Sequence, residues 1–529
     1  MRIVCSCIFF VCAVVACCVA HAGEYTRAAY FFSDSWPVNF WNSEFAHLDQ
    51  ELEQIHSDGF DSIILVIPWR EFQPGISPVS YNDYPFARLD AVMRAAQRHG
   101  LGVWVRLGYI WDYYNDANDH ILERYITIFQ ETSSRSAWVD YCKTLYAALS
   151  RHDNFRGGFL TWEDFWDLLY VCDIENQQYR VTFAKTLGFQ QFVREKYGLH
   201  GYNTSFATEY PSLEDIPIPM RSEAAMEAMF HFWDGKLIAL LEECQAVFPG
   251  LSMEVRLDAD AVANGKIIYH HSTWPCGNAA YTAAMYAIPM GFENKGEFVS
   301  AREALAHTKY ILADIMKHNG EKPVFAEQFL FTDNVPTFSH NARIWADEVG
   351  SYLQQLAPVL RETTCGYGIW TYRDYEKNML YNGQFALAGR GWKSKGKPVF
   401  ADNACRMRSG DAIIQHIPHS RDYNNTTIST VHFDVVACRT ESVVTLNAGI
   451  HTKTKTIKST GTYTVDLTRA EDFDFTIFIE KGDITIDNVV MRSGVQEGKL
   501  YDVANRPLEH IDNIRMLNKQ LPLCDKNGS

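Results

Sequence analysis

Between residue 28 and about 375, short apolar runs alternate with stretches whose apolar side chains recur every three or four positions. That alternation of strand and helix periods makes a parallel sheet joined by crossover helices. The run Ser62-Ile-Ile-Leu-Val-Ile-Pro68 has no polar alternation, as a strand covered on both faces requires. Strands are expected at 28–32, 62–68, 102–107, 158–161, 252–257, 282–288, 323–326 and 366–370. Helices are expected between them. One runs over 43–57, with Phe45, Leu48, Leu52 and Ile55 on one face, and another over 86–99, with Leu89, Val92, Met93 and Ala96 inward and Gly100 as its stop. Others fall at 137–149, 222–247, around 298–317 and 343–360, while 165–220 reads as an insertion over the barrel mouth and 261–280 as loop. Eight strand–helix units in about 350 residues describe an α/β fold, a (β/α)8 TIM barrel. A doubly wound open sheet is the alternative, but no Gly-rich phosphate loop follows the first strand.

The 529 residues exceed what one ordinary core needs. After about Asn378 the texture changes to short runs rich in Thr, Val, Ile and Phe, at 412–416, 430–436, 441–447, 461–467, 474–480 and 483–490. These predict a β-sandwich. The expected division is a signal peptide at 1–22, a barrel at 23–380, a sandwich at 381–495 and a polar tail at 496–529. Met1-Arg2, the apolar stretch 3–20 and Ala20-His21-Ala22 before Gly23 fit a cleaved export signal. A retained anchor and lipoprotein processing at Cys17 are the variants weighed against it. The expected compartment is therefore secreted, periplasmic or cell-surface. Eight of the 13 cysteines follow the leader, without CxxC or zinc spacing, so most are expected as buried free thiols.

A formal net charge of −16 without a basic block argues against wrapping a nucleic acid. Aromatics make up 14% of the chain, which suits either a large core or a cleft that stacks sugar rings. Active residues of such a barrel sit at the C-terminal ends of the strands. Those ends offer Trp69, Arg70 and Glu71; Arg106, Tyr109, Trp111 and Asp112; Trp162, Glu163 and Asp164; Arg256 and Asp258; Tyr286; Glu327 and Gln328; and Trp370, Tyr372 and Arg373. Carboxylates, arginines and indoles converge where a pocket belongs. Cleaving a glycosidic bond needs two carboxyls, one to protonate the leaving oxygen and one to attack, about 5–5.5 Å apart when configuration is retained. Glu163, between Trp162 and Phe165 neighbours in sequence terms, suits a proton-holding acid, and Glu327, with Arg106 or Arg256 nearby, suits an ionised nucleophile.

The segments Gly157-Gly-Phe-Leu-Thr-Trp-Glu163 and Lys322-Pro-Val-Phe-Ala-Glu327 resemble those of clan A of the glycoside hydrolases, similar to family 5, 39 and 42 enzymes. In that clan the acid/base ends strand four and the nucleophile ends strand seven. Gly366-Tyr-Gly-Ile-Trp370 resembles the clan's tryptophan under the reactive sugar, and Trp69-Arg-Glu-Phe-Gln-Pro its second-strand region. The resemblance spans roughly residues 25–380 and implies a retaining β-glycosidase with a carbohydrate substrate and no cofactor. It also implies that Tyr286 hydrogen-bonds the nucleophile. Trp162 stands where many members have Asn, which leaves Asp164 as the alternative acid. The segment from Tyr381 to Trp392 resembles the opening of a jelly-roll carbohydrate-binding module, with 483–490 like its closing strand.

Each candidate also has a plainer role. Arg106 fits a buried ion-pair partner, Arg256 and Asp258 fit a pair with each other, and Trp69, Trp111, Trp166 and Trp370 fit core positions as well as a cleft. His270-His271 lacks metal-ligand spacing, so no metal is expected. No G-x-S-x-G elbow or Walker loop occurs. The rival function is a non-catalytic glycan-binding protein on a degenerate barrel; a transglycosylase would use the same residues.

Overall fold

The computed structural model describes residues 25–42, 47–110, 121–161, 164–165, 167–256, 261–262, 266–267, 279–287, 297–331, 342–417, 428–469, 472–496 and 499–521. Eight parallel strands close on themselves: β1 (Thr26–Tyr30), β2 (Ser62–Ile67), β3 (Gly102–Leu107), β4 (Phe155–Leu160), β5 (Ser252–Arg256), β6 (Thr282–Ala287), β7 (Val324–Leu330) and β8 (Thr364–Ile369). Each pairs with its sequence neighbours, and β1 pairs with β8 to shut the barrel. The barrel expected from the sequence is thus the barrel observed, with no phosphate-loop sheet in its place.

Local chemistry explains the elements. Every residue of β2 is buried, consistent with helices outside and barrel core inside. The helix α1 (Leu48–Ser57) buries Leu52 and Ile55. The helix α2 (Asp83–Arg98) starts where the Asn82 side chain accepts the backbone N–H of Tyr84 at 3.2 Å. Further out lie α3 (Thr132–Leu149), α4 (Met226–Gln245), α5 (Ala301–His318) and α6 (Val349–Thr363). The expected insertion holds three short helices, Gln177–Leu187, Phe189–Lys196 and Gly198–Phe206, knitted by aromatic contacts among Phe189, Phe192, Tyr197, Tyr202 and Phe206. Six cysteines are free thiols among the described residues, and Cys142 on α3 faces Cys244 on α4 at 3.8 Å between sulfurs. Cys276 and Cys524 lie outside the described residues, as does the whole leader. Among the described residues no helix is long and apolar enough to cross a membrane.

The chain leaves the barrel through β9 (Tyr375–Asn378) into an antiparallel sandwich with its own core around Phe433, Leu446, Ile477 and Ile486. The sandwich contains β10 (Lys393–Lys395), β11 (Val399–Ala401), β12 (Ala404–Arg408), β13 (Ala412–Ile417), β14 (Ile428–Ala448), β15 (His451–Ile457), β16 (Gly461–Thr468) and β17 (Phe473–Gln496). The sequence reading broke β14 and β17 into two strands each, at the polar stretches 437–440 and 481–482. The structure instead carries both strands through, with register shifts near Cys438 to Val443 and a left-handed Gly482. Bulges bend a strand without ending it. A second correction concerns the segment Tyr381 to Trp392, whose resemblance to a jelly-roll opening implies a strand over Asn382 to Phe385. It is a run of turns held by Asn382, whose side chain bonds the carbonyls of Ala388 and Arg390 at 2.9 Å each, and Phe385 and Trp392 are buried in the sandwich core. A third correction concerns 496–529, read as a polar tail: it contains a helix, α7 (Ile511–Gln520), packed on α6.

Candidate active site

Glu327 does not end its strand. β7 runs on to Leu330, so the carboxyl lies mid-strand and is wholly buried. The pairing explains how it faces inward. Opposite β6, three steps on β7 (Phe325 to Gln328) match two steps, and opposite β8 the steps from Ala326 to Phe329 do the same. One extra residue there makes a bulge. Consecutive side chains Glu327 and Gln328 can then both enter the barrel. The β8 backbone presses close at this point. A Cβ on Gly368 would stand 2.4 Å from the Glu327 carbonyl oxygen and 2.5 Å from Ile64 Cδ1, so only glycine fits.

The Tyr30 hydroxyl, from β1, donates to Glu327 Oε2. Glu254, from β5, is equally buried, and its charge bears on the same carboxyl. Burial first, then the Glu254 charge, push the Glu327 carboxyl well above the usual carboxylate range, while Arg106 and the Tyr30 hydroxyl oppose this. The sequence reading gave Glu327 an ionised environment with Arg106 or Arg256 nearby. Arg106 favours the charged form, and burial with the Glu254 charge works against it. Tyr30 supplies the hydroxyl contact that the resemblance assigned to Tyr286, whose side chain lies outside the described residues.

Arg106 joins strands three, four and seven. Its Nη1 donates to Gln328 Oε1 at 2.9 Å and its Nη2 to Thr161 Oγ1 at 3.3 Å. The guanidinium also stands 3.6 Å from Asp164 and 5.3 Å from the Tyr109 ring centroid. Asp164 is fully buried and accepts the backbone N–H of Ile110 at 3.2 Å. That placement fits the ion-pair role for both residues.

Aromatic rings continue from this cluster. Trp370 meets Tyr30 edge-on with centroids 4.8 Å apart, then Phe32 at 5.5 Å. Phe32 contacts Tyr375 at 5.1 Å, Tyr375 contacts Trp36 at 5.5 Å, and Trp36 contacts Tyr109 at 5.7 Å. Trp370 is part-exposed while the rest are buried. The Trp370–Thr371 peptide is cis. Trp36 and Tyr375 were absent from the sequence candidates because they lie in β1's exit loop and in β9, and Phe32 because the end of the expected first strand was not among the ends read. Trp69 goes the other way: it opens the helical turn Trp69–Phe72, is fully buried, and donates from Nε1 to Gln73 Oε1 at 2.7 Å against Trp138 and Tyr125. It is a core residue there. Arg373, another strand-end candidate, pairs with Glu51 of α1. Trp111, Asp112, Trp162, Glu163, Trp166, Asp258, His270 and His271 lie outside the described residues, and so does the side chain of Arg256. No cluster of metal-ligating side chains occurs among the described residues.

No family model matches the chain, and no curated protein matches it. Several solved structures resemble it at low identity. A GH5_18 protein from Streptomyces cattleya in complex with GlcNAc is 16% identical, with a TM-score of 0.40 over 67% of this chain and 72% of that one. The exo-beta-1,4-mannosidase Op5Man5 from Opitutaceae bacterium strain TAV5 is 13% identical, with a TM-score of 0.39 over 66% of this chain and 52% of that one. A beta-glycosidase, BGL167, is 14% identical, with a TM-score of 0.39 over 67% of this chain and 87% of that one.

Proposed function

We propose that this protein is a retaining glycoside hydrolase that cleaves β-O-glycosidic bonds of an oligo- or polysaccharide, with Glu327 as nucleophile and Glu163 as acid/base. The observation that carries the reading is the Arg106 bridge. One guanidinium ties Gln328, beside Glu327, to Thr161, two residues before Glu163. One side chain thus joins the end of β4 to the middle of β7, which supports reading Glu163 and Glu327 as a working pair. In the first step the Glu327 carboxylate bonds to the anomeric carbon as the glycosidic C–O bond breaks, and Glu163 gives its proton to the leaving oxygen. In the second, Glu163 takes a proton from water, which attacks the anomeric carbon and releases Glu327. The apolar leader supports an exported enzyme, and the acidic chain favours a neutral glycan over a polyanion.

A screen of aryl β-glycosides tests this. Glu327→Gln is expected to lose nearly all turnover. With azide, Glu327→Gly should yield the α-glycosyl azide and Glu163→Ala the β-glycosyl azide, because azide enters from opposite faces. Near wild-type turnover in Glu327→Gln would sink the assignment. The complete burial of Glu327 among hydroxyl and carboxyl partners favours a second reading, a glycan-binding barrel without hydrolysis. In that case sugars raise the melting temperature of the wild-type protein and none is released.

A further inference from the structure

Two loops that follow barrel strands are tied to each other away from the carboxyl cluster. Phe298–Val299, between β6 and α5, pairs in parallel with Arg343–Ile344, between β7 and α6. Loops of this kind lie at the C-terminal face, where a barrel does its chemistry. Side chains of the ribbon alternate in and out, as its strand geometry requires. Val299 and Ile344 are buried, while Phe298 and Trp345 are each 49% exposed. Their rings stack, with centroids 4.5 Å apart and planes 25° from parallel. Among the described residues, Trp345 is the only exposed tryptophan and Phe298 the only exposed phenylalanine, and they meet each other. Arg343 is the register partner of Phe298 and stands two residues before Trp345, so it shares their face. Its guanidinium brings N–H donors beside the rings, and its Nε makes no hydrogen bond among the described residues.

The ribbon is clamped. The Arg343 N–H donates to the Glu297 carbonyl at 2.9 Å and the Trp345 N–H to the Val299 carbonyl at 3.1 Å. Just before α6, the Glu348 carboxylate accepts the Ala301 N–H at the start of α5 at 2.6 Å. Rings held on such a frame lose little freedom when a ligand covers them. Size selects the ligand. About half of an aromatic side chain's surface is roughly 100 Å², so the pair offers about 200 Å². A stable protein partner needs about 800 Å² on each side. The patch therefore matches one or two sugar rings, whose flat C–H faces lie against the electron-rich face of an indole while their hydroxyls take N–H donors.

We propose that Trp345, backed by Phe298, is a glycan platform outside the catalytic centre that holds a neutral, β-linked pyranose chain by stacking. The identity of the ligand rests on the glycoside hydrolase reading; binding at the platform needs no turnover.

Native electrophoresis of the full-length protein in gels holding a soluble polysaccharide tests it. The probes are hydroxyethyl cellulose, glucomannan and laminarin, with carboxymethyl cellulose as the anionic comparison. At least one neutral polysaccharide should retard the wild-type protein. Trp345→Ala should raise the apparent Kd by about tenfold, Phe298→Ala by less, and Trp345→Phe should keep most of the retardation. Where that polysaccharide is cut, Trp345→Ala should raise KM by a similar factor and leave kcat in place, since the binding lost is common to ground and transition states. Both rings are exposed, so the urea midpoint of each variant should match that of the wild type, which separates lost binding from lost folding. Equal retardation of wild type and Trp345→Ala would overturn the platform, as would no retardation by any neutral probe. Retardation by carboxymethyl cellulose alone would overturn the neutral ligand. A wild-type dimer in sedimentation that Trp345→Ala dissociates would make the patch a contact between copies and overturn the glycan. If the wild-type protein cuts no glycan, the hydrolase reading fails while the gels still decide the platform.

Discussion

Arg106 is the side chain on which the most depends. It is 1% exposed, touches Thr161, Gln328 and Asp164, and lies over Tyr109. Arg106→Met strands the Asp164 carboxylate in the core, and leaving one partner of a buried pair costs about 3–5 kcal/mol. The expected urea midpoint is correspondingly lower, and Arg106→Met/Asp164→Asn should recover part of the loss. A double variant no more stable than the single one would show that Asp164 is held by other groups. At this scale the sequence was half legible. Strand-end position singled out Arg106, Glu327 and Trp370, because chemistry in a barrel gathers there. The same filter passed over Glu254, one pleat below Arg256, because it surveyed strand ends and not strand interiors. It also kept Trp69, since burial inside a helical turn leaves no trace in a one-residue context.

At the scale of elements, the controlling feature is the bulge in β7 and the glycine that faces it. Gly368 has no room for a side chain against the Glu327 carbonyl. Gly368→Ala forces β7 or β8 to shift, and overpacking of this kind costs about 1–3 kcal/mol. Because the displaced backbone carries Glu327, turnover should fall more steeply than stability, whereas Gly350→Ala on α6, where a Cβ meets nothing nearer than 3.4 Å, should be near neutral. Kinetics and urea melts on both variants check this; a Gly368→Ala protein with full turnover would remove the link. The strand's existence was readable from Lys322-Pro-Val-Phe-Ala, but its length was not. Glu327-Gln328 looks like a polar stop, and only the partners across the barrel turn two adjacent polar residues into interior ones. The long strands β14 and β17 show the same effect, since bulges let polar residues pass through a continuous strand.

For the whole molecule, the last helix secures the place where the barrel closes. Arg27 on β1 and Tyr367 on β8 are register partners across that seam. Both bond to Asn518 of α7: the Tyr367 hydroxyl donates to its side-chain oxygen, and Arg27 Nη1 donates to its backbone carbonyl at 2.9 Å. The Asn518 amide donates to the Asp58 carbonyl at 3.0 Å, and the Asp58 carboxylate accepts from Tyr372, Tyr501 and Arg515 at 2.5, 2.9 and 2.8 Å. A chain end of polar composition hides this role, because its few apolar residues, Ile511, Ile514 and Leu517, are too short a pattern to announce a docked helix. Asn518→Ala leaves the buried Tyr367 hydroxyl and Asp58 carbonyl without these bonds, at about 1–3 kcal/mol. The urea midpoint of the barrel should drop accordingly, and amide exchange in β1 and β8 should quicken while the sandwich core around Ile477 keeps its protection. Exchange that quickens equally in both domains would mean that the seam and the sandwich unfold as one unit.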